Sequence, residues 1–386
     1  MGKVLKVLFV ADHLKFGGAE RHLVSVATGL IKSGHKVSVA YLKPHEELVP
    51  ALNDGGIYDL LSVKSAGGAD ISAIRRLSKH IKDFNPDILV VTSQYSLAMG
   101  YVAKNLSATK TKFLFVCHSA DVVVRGIMAR AKFLIYKPFY HFADHIIFVS
   151  EIQREFFKSI GIFPRRSEVI HNGVDIDYFY TEFQKNSHDY VRDKYGISRN
   201  DYVIGICAAF REEKRQIDLL RAIKNLKDRG FFVKSLLIGE GAMRHVIESK
   251  ISEFGIQDQV IICGHQSDVR PYISACDVMA LTSHTEAFPI ATLESMAMGK
   301  PLIVTNVGGI SEQVEHGVNG LIYPAGDISA LIGCIEKFKD GRLRQDMGER
   351  GRDQVAMKFS RDKMINNFID ACSTTVKNNY FGGNLV

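Results

Sequence analysis

The sequence has no apolar run approaching the roughly 18 residues that a membrane-spanning helix needs. Its six cysteines, Cys117, Cys207, Cys263, Cys276, Cys334 and Cys372, are scattered, with no C-x-x-C pair and no histidine cluster at ligand spacing. That scatter speaks for reduced thiols in a cytoplasmic chain and against a structural zinc. The N-terminal segment MGKVLKVLFVADH is too short, and too interrupted by Lys6, for a secretory signal; it reads as a first strand. Lys6 also breaks the myristoylation pattern. Gly239-Glu-Gly241-Ala-Met-Arg244 lacks the third glycine of a dinucleotide fingerprint. Gly299-Lys300 lacks the upstream glycine and following Ser or Thr of a phosphate loop. Neither NAD chemistry nor ATP hydrolysis gains support.

Hydrophobic residues make up 46% of the 386 residues and charged residues 24%, which excludes a disordered, collagen-like or coiled-coil chain and suits two or three domains. The net charge of +7 is unevenly placed. Residues 1–180 hold 23 Lys and Arg against 16 Asp and Glu, while residues 181–386 hold 26 of each. The first half is expected to meet something anionic.

Short apolar, β-rich runs alternate with helix-period segments throughout. The first half offers strands at Val7–Val10, Val37–Tyr41, Ile88–Thr92, Phe113–His118 and His145–Val149. The second offers Val203–Cys207, Lys234–Ile238, Val260–Cys263, Val278–Leu281 and Leu302–Thr305. Such alternation predicts parallel sheets covered by helices on both faces. It pauses at Asp177–Asn200, where TEFQKNSHD has no apolar period. The expected class is α/β: two Rossmann-like domains, 1–178 and 179–359, whose parallel sheets face a central cleft. A last helix, about 360–376, puts Ile365, Phe368, Ile369 and Cys372 on one face and is expected to cross back onto the first domain.

The richest segment is Ser283-His-Thr-Glu286-Ala-Phe288-Pro289-Ile-Ala-Thr-Leu-Glu294. It reads as strand, loop and helix, with Pro289 in the first turn. Unpaired amides near Phe288–Ile290 suit a diphosphate. Glu294 follows Pro289 by five residues, about 7.5 Å of helix, so one carboxylate can sit on each side of that diphosphate. A solvated helix with two incidental acids is the plain alternative. Gly17-Gly18 follows the first strand and opens an amphipathic helix, where backbone can approach an anion without a Cβ in the way; an ordinary turn needing glycine is its alternative. Arg211-Glu-Glu-Lys214 follows the first strand of the second domain. Its cations suit a diphosphate leaving group, or simply a solvated loop. His118 ends an apolar strand, as structural histidines also do.

Glu286 and Glu294, eight apart in S-x-x-E-x-F-P-x-x-x-x-E, resemble the E-x7-E signature of retaining glycosyltransferases of the GT-B fold, in particular glycosyltransferase family 4. Gly17-Gly18-Ala19-Glu20, His118, Asn172-Gly173-Val174-Asp175, Glu213-Lys214, Gly239-Glu240-Gly241, Gly264-His265, Gly308-Gly309 and Asn319-Gly320 follow the same family's order. The resemblance implies that Glu286 contacts the donor sugar and Glu294 the ribose hydroxyls. It implies that the backbone at Gly17, Gly18, Phe288 and Ile290, around Pro289, approaches the diphosphate. It places His118 near the sugar's C6 hydroxyl, Lys214 at the diphosphate and Gly241 among the donor-binding residues. Two departures stand out. Ala208 and Ala209 replace the family's Gly-Arg, leaving Arg211 as the substitute cation, and Ala287 replaces the glycine after the first glutamate.

The expected activity is transfer of a sugar, with retention, from a nucleotide-diphosphate sugar to a glycan or lipid-linked hydroxyl in cell-surface polysaccharide or glycolipid assembly. A UDP-sugar is favoured by frequency in the family and GDP-mannose is the competitor. No cofactor or metal is expected; Asp175-Ile-Asp177 spells a metal-binding D-x-D but lies in the N-G-V-D loop. Nucleic acid is not an expected partner. The alternatives are a nucleotide-sugar 2-epimerase of the same fold and an inactive membrane-associated scaffold. Two basic amphipathic stretches, 71–84 with Arg75, Arg76, Lys79 and Lys82, and 122–143 with Arg125, Arg130, Lys132 and Lys137, are suited to an anionic membrane surface. They leave open a peripheral position on the inner face, or a merely solvated basic face.

Overall fold

The computed structural model describes residues 3–118, 127–180 and 188–377, with backbone alone at 127–132 and 188–189. The apolar runs form two parallel sheets. The first contains β1 (Lys6–Ala11), β2 (Lys36–Tyr41), β3 (Leu60–Ser62), β4 (Ile88–Val91), β5 (Lys112–Cys117), β6 (His145–Phe148) and β7 (Ser167–Val169), in the order β3-β2-β1-β4-β5-β6-β7. The second contains β8 (Val203–Cys207), β9 (Lys234–Ile238), β10 (Val260–Gly264), β11 (Val278–Leu281), β12 (Leu302–Thr305) and β13 (Gly320–Tyr323), in the order β10-β9-β8-β11-β12-β13. Both sheets run outward in two directions from a central pair, β1/β4 and β8/β11. Just beyond the carboxyl ends of such a pair, loops diverge to opposite faces and leave room for a ligand.

Central strands are buried on both faces, so they read as unbroken apolar runs rather than alternating ones. Ile88–Val91 is buried at every position. Alternate residues of β1 divide the core of the first unit. Val7, Phe9 and Ala11 face one layer with Leu23, Val26 and Leu30, while Leu8 and Val10 face the other with Leu77, Ile81 and Leu97.

The chain separates into one unit made of residues 1–172 and 361–386 and another made of Gly173–Ser360. The helix Arg361–Lys377 thus belongs to the first unit, where Phe368 stacks on Phe9 with ring centroids 6.1 Å apart. Gly29 leaves room for it: a Cβ there would lie 2.5 Å from Ile365 Cδ1. Near the helix end, Thr375 Oγ1 lies 2.8 Å from Nδ1 of fully buried His145, whose Nε2 is 3.0 Å from Glu168. Residues 173–178, read from sequence as part of the first domain, belong to the second unit. Val174 N–H donates to the Phe359 carbonyl at 3.0 Å, and Arg270 donates to the Tyr178 carbonyl at 2.8 Å with its guanidinium 3.7 Å from the Tyr178 ring.

Among the described residues no helix is long and apolar enough to cross a membrane. The helix Ile71–Phe84 buries Ala73, Ile74, Leu77 and Ile81 and exposes its basic residues. Arg76 is committed locally, donating to the carbonyls of Val63 and Lys64. Of the second basic stretch, Arg125 and the side chains of Arg130 and Lys132 lie outside the described residues. Lys137 donates to the Ile160 carbonyl at 2.9 Å.

Candidate active site

In the second unit the functional side chains gather beyond the carboxyl ends of β8 and β11. After β8 the chain makes a short 3-10 turn, Glu212–Lys214, and after β11 it forms the loop that carries Glu286. Thr282 Oγ1 donates to the carbonyls of Lys214 (2.9 Å) and Arg215 (3.0 Å), and His284 N–H donates to the Glu213 carbonyl at 2.8 Å. These bonds bring Lys214 Nζ to 2.6 Å from Glu286 Oε1. Ser283 Oγ donates to the same oxygen at 2.6 Å. Glu286 is only 7% exposed, so the carboxylate is held by a cation and a hydroxyl in a place largely closed to water.

The helix Ile290–Ala297 starts one residue later than the sequence suggested. Pro289 is its N-cap rather than a residue of its first turn, so the first helical amide belongs to Ile290. The Pro289 carbonyl is taken by Thr292 Oγ1 at 2.7 Å and Gln313 Nε2 at 2.9 Å. Gln313 is in turn held by Asn319 and Gln354, which donate to its carbonyl at 3.1 and 3.2 Å. The buried amides thus fix the cap where a proline cannot supply a side-chain acceptor. Phe288 sends its ring into the core, edge-on to Phe359 at 5.4 Å. Glu294 lies in the same helix, 2% exposed.

Gly241 sits where the loops after β8 and β9 touch. A Cβ there would lie 2.4 Å from the Phe210 carbonyl oxygen, so only glycine permits the approach. Arg211 is not brought to Glu286. Its side chain is 62% exposed and pairs with Glu213 at 3.9 Å, on the solvent side of the turn.

The first unit places its candidates around β1, β4 and β5. Gly17 is the N-cap of the helix Gly18–Lys32; a Cβ on it would come 2.3 Å from a Glu20 carboxylate oxygen, whereas one on Gly18 would meet nothing within 4 Å. Glu20 is paired with His13 at 3.3 Å. His118 follows β5 directly, and among the described residues its buried Nε2 has no hydrogen-bond partner. Burial pushes its pKa down to about 4. Its ring meets His22 edge-on, with centroids 4.5 Å apart.

Sequence reasoning missed Ser283, His22 and the Gln313 network. His22 carried a readable signal, a histidine four residues before Val26 on the buried face of its helix. Asp175, considered as half of a metal motif, accepts from the Tyr178 N–H at 3.2 Å.

Residues 16–178 match the family model described as Glycosyltransferase Family 4, and residues 188–354 match the one described as Glycosyl transferases group 1. The N-acetyl-alpha-D-glucosaminyl L-malate synthase of Bacillus anthracis is 27% identical over 306 residues, covering 78% of this chain and 77% of its own. The UDP-Gal:alpha-D-GlcNAc-diphosphoundecaprenol alpha-1,3-galactosyltransferase of Escherichia coli is 22% identical over 310 residues, covering 78% and 79%. Among solved structures, Anabaena Alr3699/HepE in complex with UDP-glucose matches with a TM-score of 0.85 at 20% identity, across 96% of this chain and 100% of that one, which shows the shared fold. The two models together match residues 16–178 and 188–354, most of the chain, and the chain belongs to glycosyltransferase family 4.

Proposed function

We propose that the protein moves a sugar from a nucleotide-diphosphate sugar to a hydroxyl of a glycan or lipid-linked acceptor, retaining the anomeric configuration and using no metal. The observation that carries this reading is the Lys214–Glu286–Ser283 cluster beyond β8 and β11, beside the amides that open the helix Ile290–Ala297. A diphosphate at those amides gains from the partial positive charge of a helix start. In the proposed complex Lys214 exchanges its bond to Glu286 for one to a phosphate oxygen. Glu286 is then released toward the sugar, while Glu294, in the helix that follows, is the acid the family resemblance assigns to the ribose hydroxyls.

In the proposed reaction the bond from the anomeric carbon to the phosphate oxygen breaks, and the bond to the acceptor oxygen forms on the same face. The acceptor's proton passes to the departing phosphate, and Lys214 offsets the charge that develops there. Arg211 is exposed enough to reach a bound phosphate only by leaving Glu213, which makes it the lesser contributor. UDP is the favoured nucleotide: HepE is seen with UDP-glucose, and the E. coli relative is named for a UDP-galactose donor. That relative is also named for a diphosphoundecaprenol-linked acceptor, in keeping with lipid-linked glycan assembly at a cytoplasmic membrane face.

Attachment to an anionic membrane would use the exposed Arg75, Lys79 and Lys82 together with Ile71, which is 64% exposed, and the apolar Leu134, Ile135 and Phe142. Charge and apolar area would act together there. Sedimentation with phosphatidylglycerol vesicles should fall with salt and with Arg75→Glu plus Lys79→Glu; binding indifferent to both sinks the attachment.

A thermal-shift screen of UDP, GDP and ADP, then of their sugars, tests the donor reading. NMR of the first-formed product reports its anomeric configuration. Glu286→Ala should abolish transfer in a folded protein, and full turnover by that variant sinks the site assignment. Epimerised donor formed without acceptor would favour the 2-epimerase, and no nucleotide binding at all the scaffold.

A further inference from the structure

His22 is 4% exposed in the helix that opens at Gly18, at a position where an aliphatic side chain would serve the core as well. A buried imidazole needs some return for the solvation it gives up. The contacts of its ring are with aromatic edges and faces: His118 at 4.5 Å and 64°, and Phe368 of the C-terminal helix at 6.5 Å and 69°. Phe368 is fully buried and stacks on Phe9, so His22 rests against a fixed wall. Among the described residues, His22 supplies the ring contact to His118, whose Nε2 has no partner. A buried nitrogen left unpaired is what a ligand hydroxyl would satisfy.

We infer that His22 is the positioning residue for His118, fixing the plane of that ring so that its unpaired nitrogen meets the donor sugar. The inference rests on the role that the family resemblance implies for His118, near the sugar's C6 hydroxyl. Edge-to-face packing orients a ring more narrowly than an aliphatic neighbour does. Burial keeps both rings neutral, so His118 stays a hydrogen-bonding group, and His118 beside it lowers His22 further. Were His22 only a core filler, leucine or phenylalanine would replace it without consequence for His118.

The first test needs no donor. In ring 15N–1H NMR of the unliganded protein, His118 should show one dominant neutral tautomer in the wild type, averaged signals in His22→Leu, and partial restoration in His22→Phe, which keeps an aromatic edge. Unchanged His118 signals in His22→Leu overturn the inference. His22→Phe also serves if His22→Leu does not fold.

The second test uses calorimetry with UDP-glucose and its 6-deoxy analogue. Loss of one well-placed hydrogen bond is worth about tenfold in affinity, so His118→Ala should remove about that much preference for the 6-hydroxyl. His22→Leu should remove most of the same preference while UDP alone binds as before. If His118→Ala leaves the preference intact, the underlying reading of His118 fails. If His118→Ala removes it and His22→Leu does not, the positioning role fails alone.

Discussion

A Cβ placed on Gly308 would lie 1.6 Å from the carbonyl oxygen of Glu286. The turn after β12 therefore presses on the backbone of the loop that carries the glutamate, and Gly309 N–H donates to the next carbonyl, that of Ala287, at 3.1 Å. From the other side the turn after β8 holds the same loop through Thr282 and His284. The carboxylate is thus set by backbone contacts on two flanks, the kind of support that keeps a site in its working geometry before a ligand arrives.

Gly308→Ala should disturb this support more than an ordinary glycine replacement. Gly308 has φ +49 and Gly317 has φ +80, but a Cβ on Gly317 would meet nothing within 4 Å. Gly317→Ala should therefore lose only the conformational term, about 1–2 kcal/mol. Gly308→Ala must also move the Glu286 backbone. Thermal melts of the two variants, with and without the nucleotide found by screening, should show the larger loss in Gly308→Ala, together with weakened donor-sugar binding. Equal losses and unchanged binding would mean that the turn yields freely.

Lys214→Met leaves Glu286 with Ser283 but without its cation. Removing one member of a largely buried polar pair costs about 1–3 kcal/mol, somewhat less here because the Lys214 side chain is 20% exposed. The catalytic loss should be greater, on the order of 10²–10³ in kcat, if Lys214 also stabilises the leaving diphosphate. Steady-state kinetics and chemical denaturation separate the two effects. A variant that loses stability but keeps its kcat would confine Lys214 to a structural part.

The strands legible in sequence are those with cover on both faces. Val203–Cys207, Lys234–Ile238, Val278–Leu281 and Leu302–Thr305 were read with the bounds the structure has. The three strands not read, β3, β7 and β13, are short edge strands of three or four residues, and β3 and β7 are half-buried throughout. β3 and β7, Leu60-Leu61-Ser62 and Ser167-Glu168-Val169, are too short and too mixed to present a continuous apolar run. At the site, motif order names Glu286, Glu294, Lys214 and the glycines, and the structure brings Lys214 and Glu286 together. Ser283 and Gln313 were not legible, since their value lies in which oxygen each reaches across the fold. Arg211 stands three residues before Lys214, yet its side chain is 62% exposed beside Glu213 while Lys214 holds Glu286, because spacing measures chain and not the direction a tight turn gives each cation.

Phe368→Ala tests whether the C-terminal helix is an integral part of the first unit. The ring is fully buried against Phe9 and His22. Its truncation should cost about 3–5 kcal/mol, and hydrogen exchange should show the loss in β1 and in the helix Gly18–Lys32 while β8 and β11 keep their protection. Uniform loss across both units would mean that they unfold as one.

His118 gives the protein a pH dependence of stability with a defined sign. Its folded-state pKa is about 4, lowered by burial from the ordinary 6.5. The unfolded chain therefore binds this proton first as pH falls, and stability that is intact above pH 6.5 declines progressively toward pH 4. A lowering from 6.5 to about 4 corresponds to roughly 3 kcal/mol of stability at most. His22, lowered by burial and by His118 beside it, adds in the same direction. Urea denaturation of the wild type and His118→Phe, run in parallel from pH 7.5 to pH 4.5, cancels the carboxylates common to both. The wild type should lose stability relative to the variant as pH drops below 6.5, with a constant offset above it. An offset that stays constant over the whole range would show that His118 is protonated as readily in the folded protein as in the unfolded chain, and its imidazole would then meet a ligand as a cation in mild acid.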